Sequence, residues 1–500
     1  MNLKPTYGLL LLLLFIVIPL FAHLGEIPIQ QWDEGRLAMK AIEMTESHNW
    51  LLTTVNGHPD FYSVKPPLLT WIQAIFIKVI GANELAIRLP SALAAVGICV
   101  LIYWFFAWKY MKDTWLGITA NLTLISCMGF ITLHGTRSGD YDTLLTLFTT
   151  GYVLFFFLYL EEGRVKYLHL TMACLLVSAY TKGIQGLLFL PAMFIYALAT
   201  KKLLMVLKEK WFYIESVVFT ALVLGYYLAR EHYDHGYIDA VMLNELGGRY
   251  GQVIEGHSGS FFYFLGWIDE RAFTYWWPML VGGLIATFLS PDKQLRRIMF
   301  YLSLVSAMYM FIISSAATKC WWYIMPLMPF MAIMAGVFIN IIFKALDAEN
   351  VRPKLKYNIL PLAFLIAVAY PPYKAILNIT LDWQPGNLWD YVNGDISKVL
   401  YNVANENDKS LDGYLVLGAY EDNVTWYRDV IKRQHKPVQF TAEDDPGTAT
   451  KVIAFRQRTK DYLDSNYNVV FTSSCNSVYY LTIKGKKTQL PAMAATAKVN

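Results

Sequence analysis

The chain has 500 residues, 56% of them hydrophobic and only 16% charged, a composition too apolar for a soluble domain and long enough for a multispanning core. Its net charge of +4 is small and sits mostly in short loops between apolar stretches, which speaks for membrane topology and against nucleic-acid binding. Cys99, Cys127, Cys174 and Cys320 lie in or beside apolar segments and Cys475 stands in a polar tail, which excludes a disulfide framework and leaves only a Cys320 to Cys475 bridge open.

A hydrocarbon core about 30 Å thick needs roughly 20 apolar residues at about 1.5 Å each. That yardstick predicts spans near residues 7–24, 89–108, 115–132, 142–160, 167–181, 184–200, 211–229, 272–290, 298–316, 322–343 and 358–372. The first follows Lys4 and lacks a small-residue cleavage site at Phe21-Ala22-His23-Leu24-Gly25, so it reads as a span and not a removed signal.

The loop after it, roughly 25–88, is expected to carry two interfacial helices. Its first half sets Leu37, Ala41, Ile42 and Met44 on one helical face against Arg36, Lys40, Glu43 and Glu46. Its second half, PPLLTWIQAIFIKVI at 66–80, is apolar but short for a span.

Further along, one set of loops is short and basic: Lys109 and Lys112; Arg164 and Lys166; Lys201, Lys202, Lys208 and Lys210; Lys293, Arg296 and Arg297; then Lys344, Arg352, Lys354 and Lys356. Basic short loops stay cytoplasmic, which puts the N-terminus inside and, with an odd number of spans, the C-terminus outside. After Tyr370-Pro371-Pro372 the composition turns polar. Strands are expected at 414–419, 451–455, 468–472 and 478–483, with helices at 423–434 and 457–465. The expected organisation is a membrane domain over 1–372 and a soluble α/β domain over 373–500.

The far-side loops hold the residues that could carry chemistry. Asp33-Glu34 follows the first span; Asp33 either caps the next helix or orients and deprotonates an acceptor. Lys65-Pro66-Pro67 sets a cation before a proline-started helix, a fit for a phosphate at headgroup level or for simple snorkelling. Arg137 to Asp142 precedes a span. Its Asp140/Asp142 pair resembles an arrangement that holds a divalent metal against a diphosphate, and it leaves a metal open without requiring one. Lys182-Gly183 reads as a tight turn or a site lysine, Arg249 lies in a 40-residue-scale loop, and Lys319 with Tyr323 stands at a span mouth. All these groups fall on one face, where Lys and Arg would neutralise phosphate oxygens opposite a carboxylate.

The ordered set Asp33-Glu34-Gly35-Arg36, Asn49-Trp50, Asn56-Gly57, Lys65-Pro66-Pro67-Leu68, Trp71, Gly81, Glu84 and Arg88-Leu89-Pro90-Ser91 resembles the first external loop of the aminoarabinose transferase and protein O-mannosyltransferase superfamily. The likeness continues through Arg137 with Asp142, Thr181-Lys182-Gly183, Arg249-Tyr250 and Lys319 to Pro329. It implies a GT-C glycosyltransferase: a polytopic α-helical membrane protein of about 11 to 13 spans with a C-terminal α/β domain.

The resemblance further implies an inverting enzyme of the bacterial inner membrane, with active site and C-terminus periplasmic. It would move a sugar from a polyprenyl-phosphate donor to a glycolipid resembling lipid A, or to a protein. By resemblance Asp33 and Asp142 are the catalytic aspartates, and Lys65, Arg249 and Tyr323 hold the carrier phosphate. Glu34, Arg137, Asp140, Lys182 and Lys319 are further substrate-side candidates. Val64 departs from the Glu usual there in aminoarabinose transferases. A lipid-sugar flippase and a scaffold with an external binding module are the rival readings; a flippase would place ionisable groups at mid-membrane in broken helices.

Overall fold

The computed structural model describes residues 3–132, 134–348, 358–381, 388–406, 408–475 and 477–487. Arg352, Lys354 and Lys356 of the last basic loop, the side chain of Cys475 and the Ala-rich end lie outside the described residues. The chain divides into two compact units, 1–27 with 40–387, and 28–39 with 388–500.

The larger unit is helical and integral to a membrane. Among the described residues six helices are long and apolar enough to cross a bilayer: Glu84–Lys109, Tyr141–Glu162, Lys210–Tyr233, Lys293–Ser315, Trp321–Asp347 and Leu360–Leu381. Two further pairs bring the number to eight if each counts as one span: Val165–Leu187 with Leu190–Ala199, bent by 77°, and Tyr263–Ala272 with Trp277–Leu289, bent by 115°. Pro5–Phe21, Leu68–Ile80 and Thr114–Ile125 are shorter apolar helices.

Helix Tyr141–Glu162 organises this unit. Asp140 caps its start by accepting from the Tyr141 amide, and Gly163, at φ 68°, ends it in the left-handed conformation that glycine favours. Its 22 residues span about 33 Å at 1.5 Å per residue. At the far end Lys109 (2.6 Å) and Arg164 (3.4 Å) meet Glu162, while Lys202 (2.8 Å) and Arg297 (2.9 Å) meet Glu161. Basic groups from four loops thus gather at one end of the helix, and Asp142 pairs with Lys182 at the other.

That geometry corrects the reading of Lys182-Gly183 as a tight turn with a surface lysine. Helix Val165–Lys182 breaks at Gly183, φ 58°, and passes through the 3-10 turn Gly183–Leu187 into Leu190–Ala199. Tyr152 donates to the Gly186 carbonyl at 3.0 Å and Lys202 to the Leu160 carbonyl at 2.8 Å, so residues 183–202 run back along the whole helix.

Two other expectations change. Helix Asp33–Ser47 forms, but Lys40, Ala41, Ile42, Glu43 and Met44 are all buried, unlike a helix with one face in water. Its charged face is neutralised within the fold: Lys40 pairs with Asp60 at 2.7 Å and donates to the Ser63 carbonyl at 2.5 Å. Glu43 accepts from Thr54 Oγ1 at 2.6 Å and from the Gly57 amide, bracing the hairpin Thr54–Val55/His58–Pro59 around Asn56-Gly57. The last membrane helix does not stop at Pro371-Pro372 but runs Leu360–Leu381. Prolines are tolerated in membrane helices because neighbouring groups re-satisfy the freed backbone.

The smaller unit holds a five-stranded mixed sheet, in order Gln439–Phe440, Leu415–Val416, Lys451–Ala454, Val478–Lys486 and Tyr467–Cys475. The first three strands are parallel and the last two join antiparallel. Helices Leu388–Asn405, Asp422–Arg433 and Gln457–Asn466 accompany the sheet, and Leu417, Val452, Ala454, Leu463 and Leu481 form its core. Residues 28–39 belong to this unit. The Ile29 amide donates to Tyr427 Oη at 2.9 Å, Arg36 pairs with Asp422 at 3.3 Å, and a Cβ on Gly35 would lie 2.8 Å from the Asn423 amide nitrogen.

Close helix packing in the membrane relies on small residues. A Cβ on Gly336 would stand 2.6 Å from Ala120 Cα, and Thr119 Oγ1 donates to the Gly336 carbonyl at 2.9 Å. Gly336→Ala is expected to destabilise the protein by about 1–3 kcal/mol by forcing these helices apart. Thermal unfolding in detergent measures this; wild-type stability would contradict the close approach.

Candidate functional site

The membrane unit concentrates charge at the Asp142 end of its central helix. Asp142 sits in the first turn of Tyr141–Glu162 and takes the Lys182 ammonium on Oδ1 at 2.7 Å, both side chains buried. Its Oδ2 is buried with no hydrogen-bond partner. The Lys182 ammonium stands 5.8 Å from the centroid of the Tyr323 ring. Arg249 Nη1 donates to Tyr323 Oη at 3.3 Å, and Tyr309 Oη holds the Tyr323 carbonyl at 2.9 Å.

Lys65 enters from the segment before helix Leu68–Ile80. Its ammonium lies 5.5 Å from the Tyr141 ring centroid and pairs with Glu245 Oε1 at 3.1 Å. Glu245 Oε2 is likewise buried without a partner. Lys65, Lys182 and Arg249 therefore converge with Tyr323, and with Asp142 and Glu245 as counter-charges.

Arg249 is fixed by backbone pairing between two distant segments. The Thr318 amide donates to the Arg249 carbonyl at 3.0 Å, Ala317 to Tyr250 at 2.8 Å and Lys319 to His257 at 2.9 Å. Arg249 Nε donates to the Asn244 carbonyl at 3.1 Å, and Asn244 Nδ2 reaches the Phe61 carbonyl at 3.0 Å. One short segment thus positions both Glu245 and Arg249 against the first loop.

Beside this cluster, His134 stacks on Trp322 with ring centroids 4.1 Å apart and hydrogen-bonds Asp140. Burial alone would raise the Asp140 carboxyl, but His134, Lys182 and the Tyr141 amide outweigh it and hold the group below the ordinary carboxylate range. Asp140 therefore faces His134 and a helix start, while Asp142 faces Lys182. The two carboxylates thus have different partners, His134 with the Tyr141 amide for Asp140 and Lys182 for one oxygen of Asp142.

Other candidates occupy structural places. Arg137 is buried and donates to the carbonyls of Pro19 at 3.0 Å and Ala22 at 2.5 Å, where the first helix ends. With Arg88, which reaches the carbonyls of Leu24 and Ile27, it satisfies the open carbonyls at that helix end and in the turn beyond it. Lys319 turns its ammonium to the carbonyls of Ser314 and Ala316, and burial pulls it below the ordinary lysine value. Those contacts order the chain just before Tyr323. Glu34 accepts from the Gln30 amide at 2.8 Å, bracing the turn that starts its own helix. Asp33 begins that helix within the smaller unit.

Residues 64–227 match the family model described as dolichyl-phosphate-mannose-protein mannosyltransferase. An undecaprenyl phosphate-alpha-4-amino-4-deoxy-L-arabinose arabinosyl transferase of Sodalis glossinidius is 28% identical over 195 residues, 37% of this chain and 33% of that protein. One from Shewanella sediminis is 25% identical over 343 residues, 64% of this chain and 59% of its own length. The chain thus spans a third to about three fifths of the length of these relatives. The crystal structure of ArnT from Cupriavidus metallidurans bound to undecaprenyl phosphate superposes with a TM-score of 0.66 at 16% identity, covering 95% of this chain and 97% of that one. That likeness shows the fold.

Removing one partner of a buried ion pair strands the other charge. Lys182→Met is expected to cost about 3–5 kcal/mol, and adding Asp142→Asn should recover much of it, as read by unfolding in detergent. A double variant no more stable than the single one would contradict the pairing.

Proposed function

We propose that the chain, a membrane protein similar in fold and in part of its sequence to GT-C enzymes of the aminoarabinose transferase and protein O-mannosyltransferase type, transfers a sugar from a polyprenyl-phosphate donor to a glycolipid acceptor. The single observation that supports this best is the meeting of Lys65, Lys182 and Arg249 around the Tyr323 phenol at one end of the bundle. A sugar phosphodiester whose leaving group is a lipid phosphate needs cations and hydroxyl donors where negative charge develops. In this reading Lys65, Arg249 and Tyr323 bind the phosphate. Lys182 is the counter-charge of Asp142 and adds positive field to the same end.

Asp33 serves as general base toward a hydroxyl acceptor, or orients an acceptor phosphate that is already ionised. Gly35 and Arg36, packed on Asn423 and Asp422, fix the chain just beyond it. Attack opposite the departing phosphate inverts the anomeric carbon. In this reading the site faces the periplasmic side of the inner membrane, opposite the basic cluster at Glu161 and Glu162, as basic loops stay cytoplasmic.

The test is transfer by the full chain in lipid nanodiscs, with radiolabelled polyprenyl-phosphate sugars and either lipid A or envelope protein as acceptor. Label should move to the glycolipid. Lys65→Ala and Asp33→Ala are each expected to abolish transfer, a loss of about 100-fold or more, on the order of an electrostatic catalytic group, while both variants insert normally. Near-normal turnover in both would overturn the assignment, and label appearing in protein alone would replace the acceptor.

A further inference from the structure

The carrier-phosphate reading leaves one charge at the site without a task. Glu245 brings a carboxylate into direct contact with Lys65, the same cation proposed to hold the phosphate, at 3.1 Å. It lies four residues before Arg249, on the segment that Asn244 ties to Phe61, and its second oxygen is buried with no partner. Asp142 keeps an unpartnered oxygen too, but Glu245 sets its charge directly on Lys65 and four residues from Arg249, the two cations proposed for the phosphate.

Geometry limits how far a bound phosphate can stand from it. An oxygen that accepts from the Lys65 ammonium at about 2.8 Å lies no more than about 6 Å from Glu245 Oε1, given the 3.1 Å contact. At that range in a partly buried site, one extra negative charge on the ligand changes affinity by an order of magnitude or more.

The donor and the product differ by such a charge. A polyprenyl-phosphate sugar is a phosphodiester with one negative charge. The carrier released after transfer is a monoester, whose second ionisation near about pH 6 brings it toward two. Resting on the carrier-phosphate reading, we propose that Glu245 is a discriminating residue, whose fixed negative charge beside Lys65 selects the phosphodiester donor over the polyprenyl monophosphate product and so hastens product release. Lys65, Arg249 and Tyr323 attract both ligands, and Glu245 repels the dianion more.

The experiment measures equilibrium binding of two synthetic probes to the full chain in nanodiscs at about pH 8, where the monoester is dianionic. One probe is a short-chain polyprenyl monophosphate, the other its methyl phosphodiester. Glu245→Gln is expected to tighten monophosphate binding tenfold or more and diester binding several-fold less. Glu245→Asp, which keeps the charge, should retain the wild-type preference and controls for disturbed packing.

Equal tightening of both probes in Glu245→Gln, or unchanged binding of both, would overturn the proposal. So would weaker monophosphate binding in a variant that unfolds at the wild-type temperature. Failure of the carrier-phosphate reading looks different: wild-type protein would then bind neither probe, or would bind both with no dependence on Lys65.

Discussion

A charge inside a helical membrane bundle has no water to fall back on, so each must find a partner in the chain. The membrane unit obeys this closely. Lys40 meets Asp60, Lys65 meets Glu245, Asp142 meets Lys182 and Arg230 meets Asp234, while Arg88 and Arg137 spend their guanidinium groups on backbone carbonyls. The consequence is a bundle polarised along helix Tyr141–Glu162. At one end several basic side chains share two glutamates close to solvent. At the other, partly buried Lys65 and buried Lys182 meet carboxylates, Glu245 and Asp142, that each keep one oxygen unsatisfied. An unsatisfied buried polar atom costs stability, and at this end the cost comes with negative charge held beside the cations proposed for the phosphate.

The Asp33-Glu34-Gly35-Arg36 run, which holds the proposed base, belongs to the smaller unit. Gly35 is required because any Cβ would strike the start of helix Asp422–Arg433, and Arg36 answers Asp422 on that same helix. A sheet domain far along the chain therefore grips the stretch that presents the proposed base. Within that unit, Arg36 on Asp422 and the Ile29 amide on Tyr427 tie residues 28–39 to the sheet domain.

Much of this is legible in the sequence, and the remainder has physical reasons not to be. The apolar stretches announce the long helices, because a span of sufficient length has few alternatives. The alternation of basic and chemically mixed loops announces two ends, and the charges at Glu161, Glu162 and Asp142 occupy opposite ends of one helix. Lys65, Asp142, Lys182, Arg249 and Tyr323 do meet. Tyr141, Tyr309 and His134 do not stand out, and Glu245 shows only as a neighbour of Arg249, since its pairing with Lys65 joins segments 180 residues apart and leaves no periodic trace. The contacts of Arg137 with the Pro19 and Ala22 carbonyls are not legible either, because a sequence gives a cation its loop but not its direction. The buried face of helix Asp33–Ser47 looks solvated for a similar reason: Lys40 finds Asp60 only once the hairpin folds back.

The central claim is that one end of the bundle is a receptor for a lipid phosphate. The most direct measurement is a cryo-electron microscopy structure of the full chain in nanodiscs with undecaprenyl phosphate. The account predicts the phosphate within hydrogen-bond reach of Lys65 Nζ, Arg249 and Tyr323 Oη, with its isoprenoid tail leaving toward the bilayer. A phosphate bound instead among Lys109, Lys202 and Arg297 at the opposite end, with the Lys65 cluster unchanged, would contradict it.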